Sequence, residues 1–236
     1  MGLDIYVGPL TRYYLGDWEN VVQRYGREQG IPVRVIKPEG TPELPKLSAE
    51  QVLQAVTNWR ADLSTGLGSN LSEPLDWPES GAGEYFTDRP AWDGYGSLAL
   101  LAAYDEHRDL ARPKVAIAKF GDDPAWKRST AADFKSRYSS ILLPELWLPC
   151  KFEFVFKAQD LSGNEIWMGS SLSLLRQLRE LNNSTANATP AQLEQSRREN
   201  FNPGDSFDKA SRFGLAMFLQ LAEKSVNLSV PMKMDY

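Results

Sequence analysis

Apolar residues at alternate positions open the chain, with Leu3, Ile5 and Val7 on one side of residues 3–8. A period of two predicts a strand, and Gly8-Pro9 ends it. Trp18, Val21, Val22 and Tyr25 then recur at helical spacing, which predicts a helix from about residue 17 to residue 29 with Gly30 as its stop. Residues 31–36 read as a second strand, followed by a loop through Pro45. Ser48 and Gln51 make a capping box, and Val52, Leu53, Val56, Trp59 and Leu63 supply the apolar face of the helix it starts.

The second half is patterned more strongly. Leu98, Leu101, Ala102 and Asp105 suggest a helix ending near Asp109, and Val115 and Ile117 a short strand. Ser129 or Thr130 is expected to cap a helix carrying Phe134, Tyr138, Ile141 and Leu142 up to Pro144. Phe152, Phe154 and Phe156 alternate with polar residues, and Asp160 to Asn164 has turn chemistry before Ile166 and Met168. Residues 151–169 are therefore read as a β-hairpin. Ser170 or Ser171 caps a helix with Leu172, Leu175, Leu178 and Leu181 on one stripe. A polar surface excursion covers 182–204, with a short helix opened by Thr189-Pro190, and Asp205 is expected to cap the last helix, whose Ala210, Phe213, Met217, Phe218 and Leu221 face inward. The expectation is a single α+β domain over residues 1–236, a mostly antiparallel sheet packed against amphipathic helices.

Residues 66–96 break this regularity. They are rich in glycine and proline yet carry Trp77, Tyr85, Phe86, Trp92 and Tyr95. Glycine and proline at that density oppose continuous helix or central strand. A loop of this length is usually functional or disordered, and five large rings argue against disorder. Two readings stay open: an irregular loop burying its rings in its own core, or a surface that uses them as partner anchors. On the second reading the rings, with Glu79, Glu84, Asp88 and Asp93, form a partner-binding surface.

Composition narrows the chemistry. The 236 residues hold 26 Lys and Arg against 31 Asp and Glu, a net charge of −5. An acidic chain is a poor phosphate neutraliser, so no nucleic-acid partner is expected. One Cys (Cys150) and one His (His107) exclude a disulfide framework and any metal site built on several such ligands. No phosphate-loop or nucleophile-elbow motif occurs, and His107, in a charged run at a helix end, reads as a solvated residue complementing the dipole. No cofactor is implied. Asp88, Asp93, Asp122 and Asp123 are the loop carboxylates to inspect for a two-acid hydrolase, in which 66–96 would act as a lid. Asp4, facing away from its apolar neighbours, reads as exposed on an edge or as a buried carboxylate meeting Arg12 or Tyr13. The apolar runs are too short to cross a membrane and no secretory signal is seen, so a cytoplasmic protein is expected.

The opening residues 1–8 with Thr11-Arg-Tyr-Tyr14 resemble a group of uncharacterised bacterial proteins. Leu148-Pro-Cys-Lys-Phe152, followed by Gly169-Ser-Ser171 and a Leu-rich helix, is similar to small acidic immunity proteins of toxin–immunity systems. The resemblance implies a toxin domain as protein partner, neutralised by steric occlusion, and it carries over no catalytic residue.

Overall fold

In the computed structural model the described residues are 2–33, 47–117, 119–199, 202 and 204–236. In chain order they form β1 (Asp4–Val7), α1 (Leu10–Leu15), α2 (Val21–Glu28), α3 (Ala49–Leu67), β2 (Phe86–Asp88) and α4 (Ala91–Glu106). There follow α5 (Pro124–Ser129), α6 (Ser139–Leu142), β3 (Leu146–Leu148), β4 (Phe156–Gln159), β5 (Glu165–Ser170) and α7 (Ser171–Ser184). The last elements are α8 (Pro190–Arg198), α9 (Phe207–Leu228) and β6 (Met232–Asp235). The strands make one open sheet ordered β2-β1-β6-β3-β5-β4, antiparallel except for β3 beside β5. The class is α+β.

Strand alternation divides the core in two. Ile5, Val7, Trp147, Met232 and Met234 face α4, α7 and α9, where they join Leu98, Leu174, Leu178, Leu215 and Phe218. Leu146, Leu148, Ile166 and Met168 face the other way, onto Leu10 of α1, Val52 and Val56 of α3, and Leu75 and Trp77. Both faces of the sheet are therefore covered, and burial of this apolar area is the main stabilising term. α4 and α9 approach at a glycine contact: a Cβ on Gly214 would lie 2.2 Å from the carbonyl oxygen of Gly94. Only glycine permits backbones that close.

The sequence signals for capping hold well. Ser48 and Gln51 complete the capping box of α3, Ser170 caps α7, and Thr189 with Gln192 caps α8. The hairpin forms with its strand pairing beginning at Phe156 rather than at residue 151, while Phe152, Phe154 and Phe156 pack ring to ring. Other expectations are corrected. The helix foreseen over 17–29 is α2, which starts only at Val21. Of the expected stripe Val22 and Tyr25 face water at 40% and 60% exposure, while Trp18, before the helix, packs against Tyr6 and Tyr13. Residues 31–33 form no strand, and 34–46 lie outside the described residues. Val115 makes only an isolated bridge to Ser206. The helix foreseen between Thr130 and Leu142 is confined to α6, because Asp123 and Pro124 start an earlier helix that ends at Ser129. Ser206, not Asp205, caps α9, since Asp205 is engaged with the Asn202 amide and Lys209.

Candidate functional site

The side chains singled out in 66–96 do not form one surface. Trp77 and Tyr95 are 4% and 5% exposed, so these rings are core, not anchors. Trp77 donates its indole N–H to Glu79 Oε1 at 2.6 Å. The same carboxylate accepts the backbone N–H groups of Leu10 (3.0 Å) and Thr11 (2.8 Å), so Glu79 caps α1 from a distant loop. The expectation that Glu79 lies ready for a partner is corrected accordingly. Tyr85 is half-buried, stacked 5.9 Å from Tyr6 with the Arg12 guanidinium 4.3 Å from its ring centre. Phe86 is half-buried beneath the Lys224 ammonium at 3.3 Å. Asp88 pairs with Arg197 at 3.8 Å, and Trp92 rests edge-on against Tyr95 and Tyr236. Asp93 lies in the first turn of α4, half-buried, where a carboxylate complements the positive helix end. Glu84 is exposed.

A second group of polar side chains gathers on the α1 face of the sheet, and the sequence pointed to it only through Asp4. Strand register places Asp4 beside Asp235 and Tyr6 beside Lys233. Tyr13 of α1 donates to Asp235 Oδ1 at 2.7 Å, and Tyr14 to Asp160 Oδ2 at 3.3 Å. Lys233, 7% exposed, reaches the buried Asp160 at 3.4 Å and lies 5.6 Å from the Tyr13 ring centre. Tyr6, Tyr13, Trp18 and Tyr85 form a contiguous aromatic layer over it. Burial, reinforced by the neighbouring carboxylates, pushes the hydroxyls of Tyr13 and Tyr14 well above the usual phenol range, so both stay protonated donors.

Asp4 is 6% exposed, which settles the alternative in favour of burial. Tyr13, however, hydrogen-bonds Asp235 rather than Asp4, and Arg12 turns away to the Gly83 carbonyl at 2.7 Å. Among the described residues Asp4 Oδ1 has no hydrogen-bond partner. Burial raises the Asp4 carboxyl above its ordinary 3.8; Arg89 opposes the shift, and the charges of Asp235 and Asp88 add to it.

The other candidate carboxylates are engaged singly. Asp123 caps α5 and accepts the Tyr104 hydroxyl at 3.0 Å, while Asp122 pairs with Lys127 at 3.5 Å. His107 is not the solvated residue expected. It is 5% exposed, its ring 4.9 Å from that of Phe134, and its Nε2 has no partner among the described residues. Beside it, Asp105 accepts from Arg108, Arg137, Tyr138 and Ser184, tying the end of α4 to α7 and the segment before α6. Among the described residues no group of three His, Cys, Asp or Glu side chains is placed to hold a metal ion, and no helix is long and apolar enough to cross a membrane. No protein-family model matches the chain, and no curated protein or solved structure matches it either.

Proposed function

We propose that this chain is a non-catalytic binding protein, of the kind that neutralises a toxin domain by occluding it. The observation that carries the reading is charge: residues 61–88 hold Asp62, Glu73, Asp76, Glu79, Glu84 and Asp88 and no Lys or Arg. Of these, Asp62, Glu73, Asp76 and Glu84 are exposed. An open groove of about 550 Å³ runs between α3 and residues 71–75, with Leu71, Leu75, Glu73 and Arg60 along it. Arg60 pairs with Asp76 at 3.0 Å, leaving Asp62, Glu73 and Glu84 as the segment's unpaired exposed carboxylates among the described residues. Such a contour suits a basic partner, because an acidic inhibitor steers itself onto a basic substrate-binding cleft and gains association rate. The interaction rests on carboxylates and the groove, since Trp77 and Tyr95 are sealed in the core. The hydrolase alternative is weakened by the separate engagements of Asp88, Asp122 and Asp123.

The test is calorimetry and stopped-flow mixing with basic toxin domains encoded beside the gene. A complex is expected whose association slows at least tenfold in the Asp62→Lys/Glu73→Lys/Glu84→Lys triple variant at low salt. No complex at micromolar concentration with any such domain, or an unchanged association rate, refutes the reading.

A further inference from the structure

The row on the α1 face of the sheet has a property the fold does not require. Asp4 sits on β1 with a carboxylate oxygen buried and without a hydrogen bond among the described residues, directly across from Asp235. Buried acceptors are normally satisfied, so an orphaned one calls for a reason. A neutral side chain would fill the same position without a desolvated charge or the repulsion of Asp235 and Asp88. The Arg89 charge opposes the upward shift without making an ion pair with Asp4 among the described residues. Arg89 continues β2 opposite Asp4, yet its guanidinium lies on the Gly2 backbone, where a Cβ would meet Nη2 at 1.9 Å.

We propose that Asp4 and Asp235 bind an organic cation through its N–H donors: an alkylammonium or a guanidinium group. Cross-strand neighbours hold their Cβ atoms about 4.5–5.5 Å apart, a spacing that one ammonium or guanidinium bridges. A metal ion is disfavoured, since no set of three ligands converges among the described residues. The same wall already solves this problem once: Lys233 places an ammonium on Asp160 beside the Tyr13 ring. Solvent reaches the row through Asp235, which is half-buried. The cation can come from a free amine or from a basic side chain of a protein, and the chemistry at the carboxylates is shared. The proposal is independent of the acidic 61–88 surface.

The experiment titrates the full chain with n-butylammonium, methylguanidinium and tetramethylammonium, followed by backbone amide shifts in NMR. The expected result is saturable shifts at residues 4 and 235 with the first two cations and none with tetramethylammonium, which has charge but no N–H donor. Asp4→Asn and Asp235→Asn each weaken binding at least tenfold, and Asp4→Asn does not lower the thermal midpoint. Spermidine against a blocked arginine or lysine peptide separates the sources: the tighter ligand identifies a free polyamine or a protein side chain. Equal response to tetramethylammonium, no saturation, or an Asp4→Asn chain that fails to fold overturns the proposal, the last because the carboxylate would then be holding the fold.

Discussion

Replacing Asp105 by Asn tests whether one carboxylate ties the end of α4 to the rest of the helical layer. Its side chain is 1% exposed and accepts from two guanidiniums and two hydroxyls. Arg108 and Arg137 are 68% and 53% exposed, so solvent screens them and their pairing adds little. The Tyr138 hydroxyl at 2.7 Å and the Ser184 hydroxyl at 2.7 Å matter more, each a charge-assisted bond of about 1–1.5 kcal/mol here. Asn keeps the volume but puts an amide N–H among donors, so the expected loss is about 3 kcal/mol. Urea unfolding followed by tryptophan fluorescence should show a lower midpoint at unchanged slope. The sign of the pH dependence is fixed as well. Burial raises the Asp105 carboxyl, but the bonds from Tyr138, Ser184 and Arg108 outweigh it and leave it below its ordinary 3.8. The wild-type advantage is therefore complete above that value and shrinks as pH falls through the lower, folded one. A loss under about 1 kcal/mol at neutral pH, or a gap that widens in acid, refutes the reasoning.

Gly214→Ala should cost about 1–3 kcal/mol by forcing α4 and α9 apart at the Gly94 carbonyl, read as a lower thermal midpoint; an unchanged midpoint would show that the helices slide freely. Glu79→Ala should remove about 1–2 kcal/mol by uncapping α1 and should alter Trp77 fluorescence, whereas loss of a merely solvated acid would change neither. For Asp4 the sign is reversed: a raised carboxyl means that ionisation is disfavoured in the folded state. The Asp4→Asn chain should therefore gain on wild type as pH rises above 3.8, and parallel stability curves would contradict this.

Local chemistry was the legible part of this sequence. The capping box at Ser48, the short helix opened by Thr189-Pro190, the serine cap before α7 and the turn at residues 160–164 are decided within a few residues, and each appears as read. Long-range contacts were not legible. Glu79 looked like a free loop acid because its partners, Leu10 and Thr11, lie some seventy positions away in sequence. Trp77 lies outside any helix or strand, and Tyr95 escapes notice because 66–96 reads as one irregular stretch, whereas α4 already begins at Ala91 and buries it. α2 was placed correctly, but periodicity does not reveal whether a stripe meets a neighbour, and here Tyr25 meets water. The polar row needed the register of β1 against β6, and β6 is four residues with no distinctive turn to announce it. Of its members Asp4 alone stood out, as a charge on an otherwise apolar strand.

The pairing of β1 with β6 has a consequence for biogenesis. Residues 4–7 and 232–235 are neighbours inside the sheet, flanked by β2 on one side and β3 on the other. During translation the amino-terminal strand must wait for nearly all of the intervening chain before its mate leaves the ribosome. Until then one edge of that strand is unpaired and its apolar side incompletely covered, the kind of exposure that favours aggregation. A chain cut short before residue 232 would lack an interior plank of the sheet, a far graver lesion than the trimming of a loose tail.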